Sequence, residues 1–140
     1  MIALGCDHGG YALKLEILKY LEKAGIEYLD FGCNGESVDY PVYARKVGQA
    51  IIDGQCEKGI LICGTGIGIS MTANKVPGVR CALCQDTFSA KMTRLHNDAN
   101  VLSLGGAIVG PLLALDIVET FINTPFSGEE KHCRRIGLME

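Results

Sequence analysis

The sequence predicts a doubly wound α/β fold: a single domain over residues 1–140, with a five-stranded parallel sheet carrying helices on both faces. Three observations predict it. Five short segments are almost continuously apolar instead of alternating, which is the pattern of strands buried on both sides. Amphipathic segments separate them, as crossovers between parallel strands require. A length of 140 residues, 48% hydrophobic and 21% charged, suits one globular core.

Each element has a local reason. Ile2 to Cys6 is an apolar run ending in Asp7-His8-Gly9-Gly10, and reads as the first strand. Leu13, Ile17, Leu18 and Leu21 then recur at helical spacing among Lys14, Glu16, Lys19 and Glu22, and Gly25 stops that helix. Residues 26–31 read as the second strand and 32–39 as a turn-rich loop; 40–53 read as a helix with Pro41 in its first turn. G-I-L-I-C at 59–63 is the third strand, followed by the glycine-rich turn Gly64-Thr65-Gly66-Ile67-Gly68, a helix over 69–75 and the break Val76-Pro77-Gly78. A fourth strand over 79–84, a helix over 87–95, a polar loop over 96–100, a fifth strand over 101–104 and a helix over 111–122 complete the alternation. Residues 123–140 read as a polar tail of mixed charge.

Composition narrows the function classes. Thirteen Lys and Arg against sixteen Asp and Glu give a net charge of -3 with no long run of one sign, so no nucleic-acid partner is expected. No apolar stretch reaches the roughly 18 residues of a membrane span, and the chain opens on a strand-like run, so no membrane partner is expected either. Seven cysteines, an odd number scattered through apolar segments, suit a reducing compartment. Together these readings point to the cytoplasm.

Ligands of doubly wound sheets bind beyond the carboxyl ends of the strands, so reactive residues flanking the strands are the first candidates. Asp7 and His8 follow the first strand, Cys63 ends the third, and His96-Asn97-Asp98 with Asn100 stand just before the fifth; the expectation is that they share one edge of the sheet. Each also has a plain structural reading. Asp7 would cap a helix, His8 would sit in a surface turn, Cys63 would be a small buried hydrophobe, and 96–100 would be an Asx-turn loop.

Cys63 directly precedes the glycine turn, whose amides and following helix would stabilise an anion and lower the thiol pKa from about 8.5. That pairing suits a base beside an anionic intermediate. The same glycines allow a dinucleotide reading with Asp86 as the ribose contact, although G-x-G-x-G departs from the G-x-G-x-x-G spacing, or simply tight strand-to-helix packing. Cys81-x-x-Cys84 lies within a strand, where residues three apart point to opposite faces, and is expected in the core.

The segments G-C-D-H-G-G at 5–10, S-V-D-Y-P at 37–41, I-L-I-C-G-T-G-I-G-I-S at 60–70, A-N-K-V-P-G-V-R at 73–80 and H-N-D-A-N at 96–100 resemble, in order over almost the whole chain, the type B ribose-5-phosphate isomerases. That family also includes allose-6-phosphate isomerases and is similar to galactose-6-phosphate isomerase subunits. The resemblance implies a Rossmann-like fold and a cofactor- and metal-independent interconversion of ribose 5-phosphate and ribulose 5-phosphate through an enediolate, a pentose phosphate pathway reaction. A six-carbon sugar phosphate is the alternative within the same chemistry; a non-catalytic sugar-phosphate binder and a nucleotide-dependent oxidoreductase are remoter ones.

By the same resemblance Cys63 is the base, Thr65 assists proton movement at the sugar oxygens, and the amides of Gly64, Gly66, Ile67 and Gly68 hold the enediolate oxygen. His96 is the acid that opens the furanose ring with help from Asp7, and Tyr40 and Asn97 contact the sugar. The phosphate falls to His8 and to Lys131, His132 and Arg135, with Arg134 beside them; these C-terminal residues reach the site of a partner subunit in a homodimer or homotetramer. Two positions depart from the family pattern: Lys131 stands where many members carry arginine, which exchanges a fork for a point charge, and Ala107 stands where an arginine is common.

Overall fold

The centre of the sheet is a pair of parallel strands, β1 (Ile2–Cys6) and β3 (Lys58–Cys63), in which Ile2 pairs with Lys58 and Cys6 with Ile62. β2 (Tyr28–Asp30) flanks β1, and β5 (Val101–Gly105) lies between β3 and β4 (Cys81–Leu83). The computed structural model describes residues 1–140 and gives the order β2-β1-β3-β5-β4, parallel throughout. The direction of winding reverses between β1 and β3, which makes the gap between their carboxyl ends the switch point where such folds bind ligands.

Every residue of β1 and β5 is buried, as are the last five of β3, which explains why these segments read as unbroken apolar runs. One face is covered by α1 (Tyr11–Lys23), α4 (Thr87–Met92) and α5 (Pro111–Asn123), where Leu13, Ile17, Leu21, Ile117 and Phe121 pack on Leu4, Ile60, Ile62 and Leu102. The other is covered by α2 (Tyr40–Ile52) and α3 (Ile67–Ala73), with Val47, Ile69 and Ala73 against Ala3, Leu61 and Val101. The doubly wound expectation holds.

Several boundaries differ from the sequence reading. The outer strands β2 and β4 keep only three residues each. α3 begins at Ile67, two residues early, directly on the glycine turn. Thr93 to Asn97 wind into one π-helical turn on the end of α4, which takes His96 and Asn97 out of the expected loop. Most of the supposed tail is a helix, α6 (Glu130–Met139), which rests chiefly on that π-turn and buries only His132.

One buried charge ties the helical layer to the sheet. Lys14 on α1 is fully buried; its Nζ donates to Asp30 Oδ1 at 2.8 Å and to the Cys33 carbonyl at 2.6 Å, so its burial is offset by an ion pair and a hydrogen bond. No helix is long and apolar enough to cross a membrane.

Candidate active site

Three glycine-bearing turns converge at the carboxyl edge of β1, β3 and β5. Cys63 ends β3, 5% exposed, and its Sγ accepts the Gly66 N–H at 3.1 Å. The Cys63 carbonyl accepts the Gly106 N–H at 2.8 Å, and the Gly64 carbonyl accepts the Ala107 N–H at 2.9 Å, which lashes this turn to the one after β5. Ser103 Oγ donates to the Gly66 carbonyl at 2.6 Å from within β5. Gly66 is at φ +77°, and a Cβ there would meet Leu83 Cδ1 at 2.6 Å and Leu104 C at 2.8 Å, so only glycine makes this turn.

The amides of the turn divide into two groups. Gly66 N–H is engaged by the sulfur, and Ile67 N–H donates to Thr65 Oγ1 at 3.2 Å. The N–H groups of Gly64, Thr65 and Gly68 have no partner within the chain and remain for a ligand. The amides carried over from the resemblance are therefore not equivalent. Gly66 and Ile67 shape the turn, whereas Gly64 and Gly68 are open.

Asp7 and His8 follow β1 on the same edge. Asp7 is buried and its Oδ1 accepts the Gly9 N–H at 2.9 Å, while His8 is exposed and its Nδ1 accepts the Val38 N–H at 3.4 Å. Tyr40, on the first turn of α2, lies so close to Gly68 that a Cβ there would come within 2.5–2.7 Å of the phenol. Cys63, Thr65, the glycine turn, Asp7, His8 and Tyr40 form one cluster.

His96, Asn97, Lys131, His132 and Arg135 do not join it, and here the expectation of a single edge is corrected. β5 runs parallel to β3 with Val101 opposite Gly59 and Gly105 opposite Cys63, so a residue that precedes β5 lies at the amino edge of the sheet. Four strand steps alone separate the two edges by about 13 Å. A segment just before a strand and one just after a strand flank opposite ends of a parallel sheet.

The second cluster is ordered by its own contacts. The rings of His96 and His132 stack, with centroids 4.4 Å apart and planes 19° apart. His132 is buried and its pKa is pushed below the usual histidine value, first by desolvation and then by His96, with Lys131 and Arg135 adding to the depression and Glu129 opposing it. Lys131 lies 3.6 Å from Glu129, Arg134 pairs with Glu130 at 3.2 Å, and exposed Arg135 has no carboxylate partner. Asn97 borders a cleft of about 410 Å³ that Arg80, Thr93 and Met139 also line.

The sequence reading includes Asp98 in this second cluster but misses the two arginines that hold it. Asp98 takes a left-handed conformation at φ 45°, with its carboxylate 2.8 Å from Arg94 Nη1 and 3.6 Å from Arg80 Nη2. Arg94 offers a signal, since it precedes Asp98 by four residues at helical spacing, whereas Arg80 lies 18 residues away. Two other candidates resolve as structure. Asp86 follows β4 and caps α4, its carboxylate accepting the Ser89 N–H at 2.6 Å and the Ser89 hydroxyl at 3.0 Å, which is the plain structural role of a helix cap. Cys84 packs in the α1/α4/α5 layer and Cys81 against the α2/α3 layer; burial raises both thiols, Cys84 to about 11.

A parallel sheet with a thiol and open amides at its switch point matches a family model described as ribose/galactose isomerase over residues 2–139. Fold and site thus define an isomerase of the doubly wound α/β class. A solved structure of the ribose-5-phosphate isomerase B of Clostridium thermocellum superposes with a TM-score of 0.96 and 52% identity over 99% of this chain and 93% of that one. The ribose-5-phosphate isomerase B of Escherichia coli is 45% identical over 136 residues, 96% of this chain and 91% of its own. A D-erythrulose-4-phosphate isomerase of Pectobacterium atrosepticum is 42% identical over 129 residues, 91% of this chain and 85% of its own. The chain belongs to the ribose/galactose isomerase family, on its type B ribose-5-phosphate isomerase branch.

Proposed function

We propose that the protein interconverts ribose 5-phosphate and ribulose 5-phosphate, with the active site completed by a second copy of the chain. One observation carries this: Cys63 with its open amides and the His96–α6 cluster are two incomplete half-sites on opposite edges of one sheet. A two-fold partner that apposes unlike edges forms two complete sites, because in such a pair each contact of one residue with another occurs twice. α6, which buries one residue in its own chain and leaves Leu138 80% exposed, supports the same reading.

In the completed site the partner subunit's His96 protonates the ring oxygen, Asp7 assists opening, and Tyr40 and the partner's Asn97 hold the open sugar. Cys63 Sγ, which faces the Gly66 N–H, takes the proton from C2 as the thiolate. Negative charge then develops on the carbonyl oxygen, which the amides of Gly64, Thr65 and Gly68 receive. Thr65 Oγ1 relays a proton between the two sugar oxygens, and Cys63 returns its proton to C1. No atom is gained or lost. His8 and the partner's Lys131, His132 and Arg135 clamp the phosphate.

The test is conversion in heavy water. Deuterium should enter product and recovered substrate at the exchanged carbon; conversion without label would indicate hydride migration and overturn the thiol-base mechanism, and inertness toward every sugar phosphate would overturn the enzyme's assigned substrate class. Exposed Ala107, donating its N–H to the Gly64 carbonyl, leaves only a methyl group at the rim of the site and favours a second reading, a six-carbon sugar phosphate. Parallel assays with allose 6-phosphate and ribose 5-phosphate separate the two.

A further inference from the structure

We propose that Arg80 is a positioning residue that locks the His96–Asn97 turn and the C-terminal helix into one rigid half-site. The inference rests on the reading of those elements as the acid and phosphate half of the active site. Arg80 stands just before β4, and its backbone is fixed by Asn100: the Arg80 N–H donates to Asn100 Oδ1 at 2.8 Å, and the Asn100 N–H donates to the Arg80 carbonyl at 3.0 Å. From that anchor the guanidinium spreads over two segments. Nε donates to the Asn97 carbonyl at 3.0 Å, Nη2 to the Asp98 carbonyl at 3.0 Å, and Nη1 to Glu140 Oε1 at 2.8 Å.

The first two bonds set the π-turn that carries His96 and Asn97; the third fastens the end of α6, whose start carries Lys131, His132 and Arg135. The only other tie of comparable specificity between turn and helix is the His96–His132 stack. Ring and guanidinium therefore grip α6 at its two ends. A planar fork can serve these acceptors together, whereas a lysine ammonium is a point charge without that geometry.

Arg80→Lys and Glu140→Gln test this by steady-state kinetics and by NMR titration of the protein's three histidines. Glu140→Gln loosens only the helix end, so KM for ribose 5-phosphate should rise about two- to fivefold with kcat kept, the scale of an exposed ion pair. Arg80→Lys also frees the turn, so KM should rise about tenfold and kcat should fall by a similar factor, the scale of a charge-assisted hydrogen bond. In both variants the His132 titration should move toward the ordinary histidine value as the stack loosens. Unchanged KM and kcat overturn the assignment, as does lost activity with an unmoved His132 titration. If the wild-type protein isomerises no sugar phosphate, the reading of the half-site has failed, and the titrations alone then decide whether Arg80 holds turn and helix together.

Discussion

Cys63 and His96 occupy opposite edges of one parallel sheet: Cys63 closes β3 opposite Gly105, the last residue of β5, and His96 precedes β5. No rotamer brings an imidazole across that span, so a reaction that needs both groups takes them from two chains. Cys63→Ala and His96→Ala homodimers should therefore each be inactive, and their co-refolded mixture should regain about a quarter of wild-type activity, because half the dimers are mixed and each holds one intact site. Mixed dimers demonstrated by mass and still inactive would refute the shared site.

The sulfur has a sharper test alone. Cys63 is packed beneath its turn and alanine removes one atom from the cavity, so Cys63→Ala should fold with a near-normal melting temperature. Losing the base should lower kcat by about 10² to 10⁴, with KM for ribose 5-phosphate changed little. Turnover within a few-fold of wild type would remove Cys63 from the proton transfer.

Gly66→Ala probes the scaffold of that site. A left-handed backbone and three contacts below 3 Å oppose the methyl group, so the variant should lose about 2 to 3 kcal/mol of stability. The turn must shift to admit it, which moves the amide that faces the sulfur, so kcat should fall as well. A melting temperature equal to wild type would show that the turn yields easily.

These residues also show what the sequence made legible. β1, β3 and β5 were readable because burial on both faces leaves uninterrupted apolar runs, and the turn after Cys63 was readable because only glycines permit three loops to meet there. α6 was not, since E-E-K-H-C-R-R-I-G-L-M is polar on average and the residue it buries is His132. The edges were confused for a topological reason: polarity of the strand, not proximity to it, decides which end of a parallel sheet a flanking residue joins. The role of Arg80 was invisible because it arises from contacts among the π-turn, the segment before β4 and the end of α6 that no local pattern encodes.

Lys14 makes a prediction about stability rather than catalysis. Its ammonium is fully buried against Asp30 and the Cys33 carbonyl, so Lys14→Met leaves a carbonyl without its donor and a carboxylate without its cation. Asp30 is 30% exposed and can hydrate, which sets the cost nearer 2 to 3 kcal/mol than the larger penalty of a sealed ion pair. Denaturant unfolding measures it, and a loss below about 0.5 kcal/mol, the ordinary scatter of surface substitutions, would mean the ion pair contributes nothing net.

The His96–His132 stack makes the docking of α6 pH-sensitive, and the sign follows from His132. Its pKa is lowered in the folded chain, chiefly by desolvation and then by His96, so below the ordinary histidine value of about 6.5 the undocked helix binds a proton that the docked one resists. The docking free energy is thus fully present above pH 6.5 and declines as pH falls through the window between that value and the lower folded one. Protonation also places two imidazolium rings face to face at 4.4 Å when His96 is charged. Amide hydrogen exchange over 130–139 should accelerate, after correction for the intrinsic rate, between pH 7 and pH 5.5, and KM for the sugar phosphate should rise in parallel. His132→Asn keeps a polar side chain without the titration and should flatten both responses. Protection of α6 that is independent of pH in the wild type, or a His132 titration at or above 6.5, would contradict the stacked, desolvated imidazole as the pin of this helix.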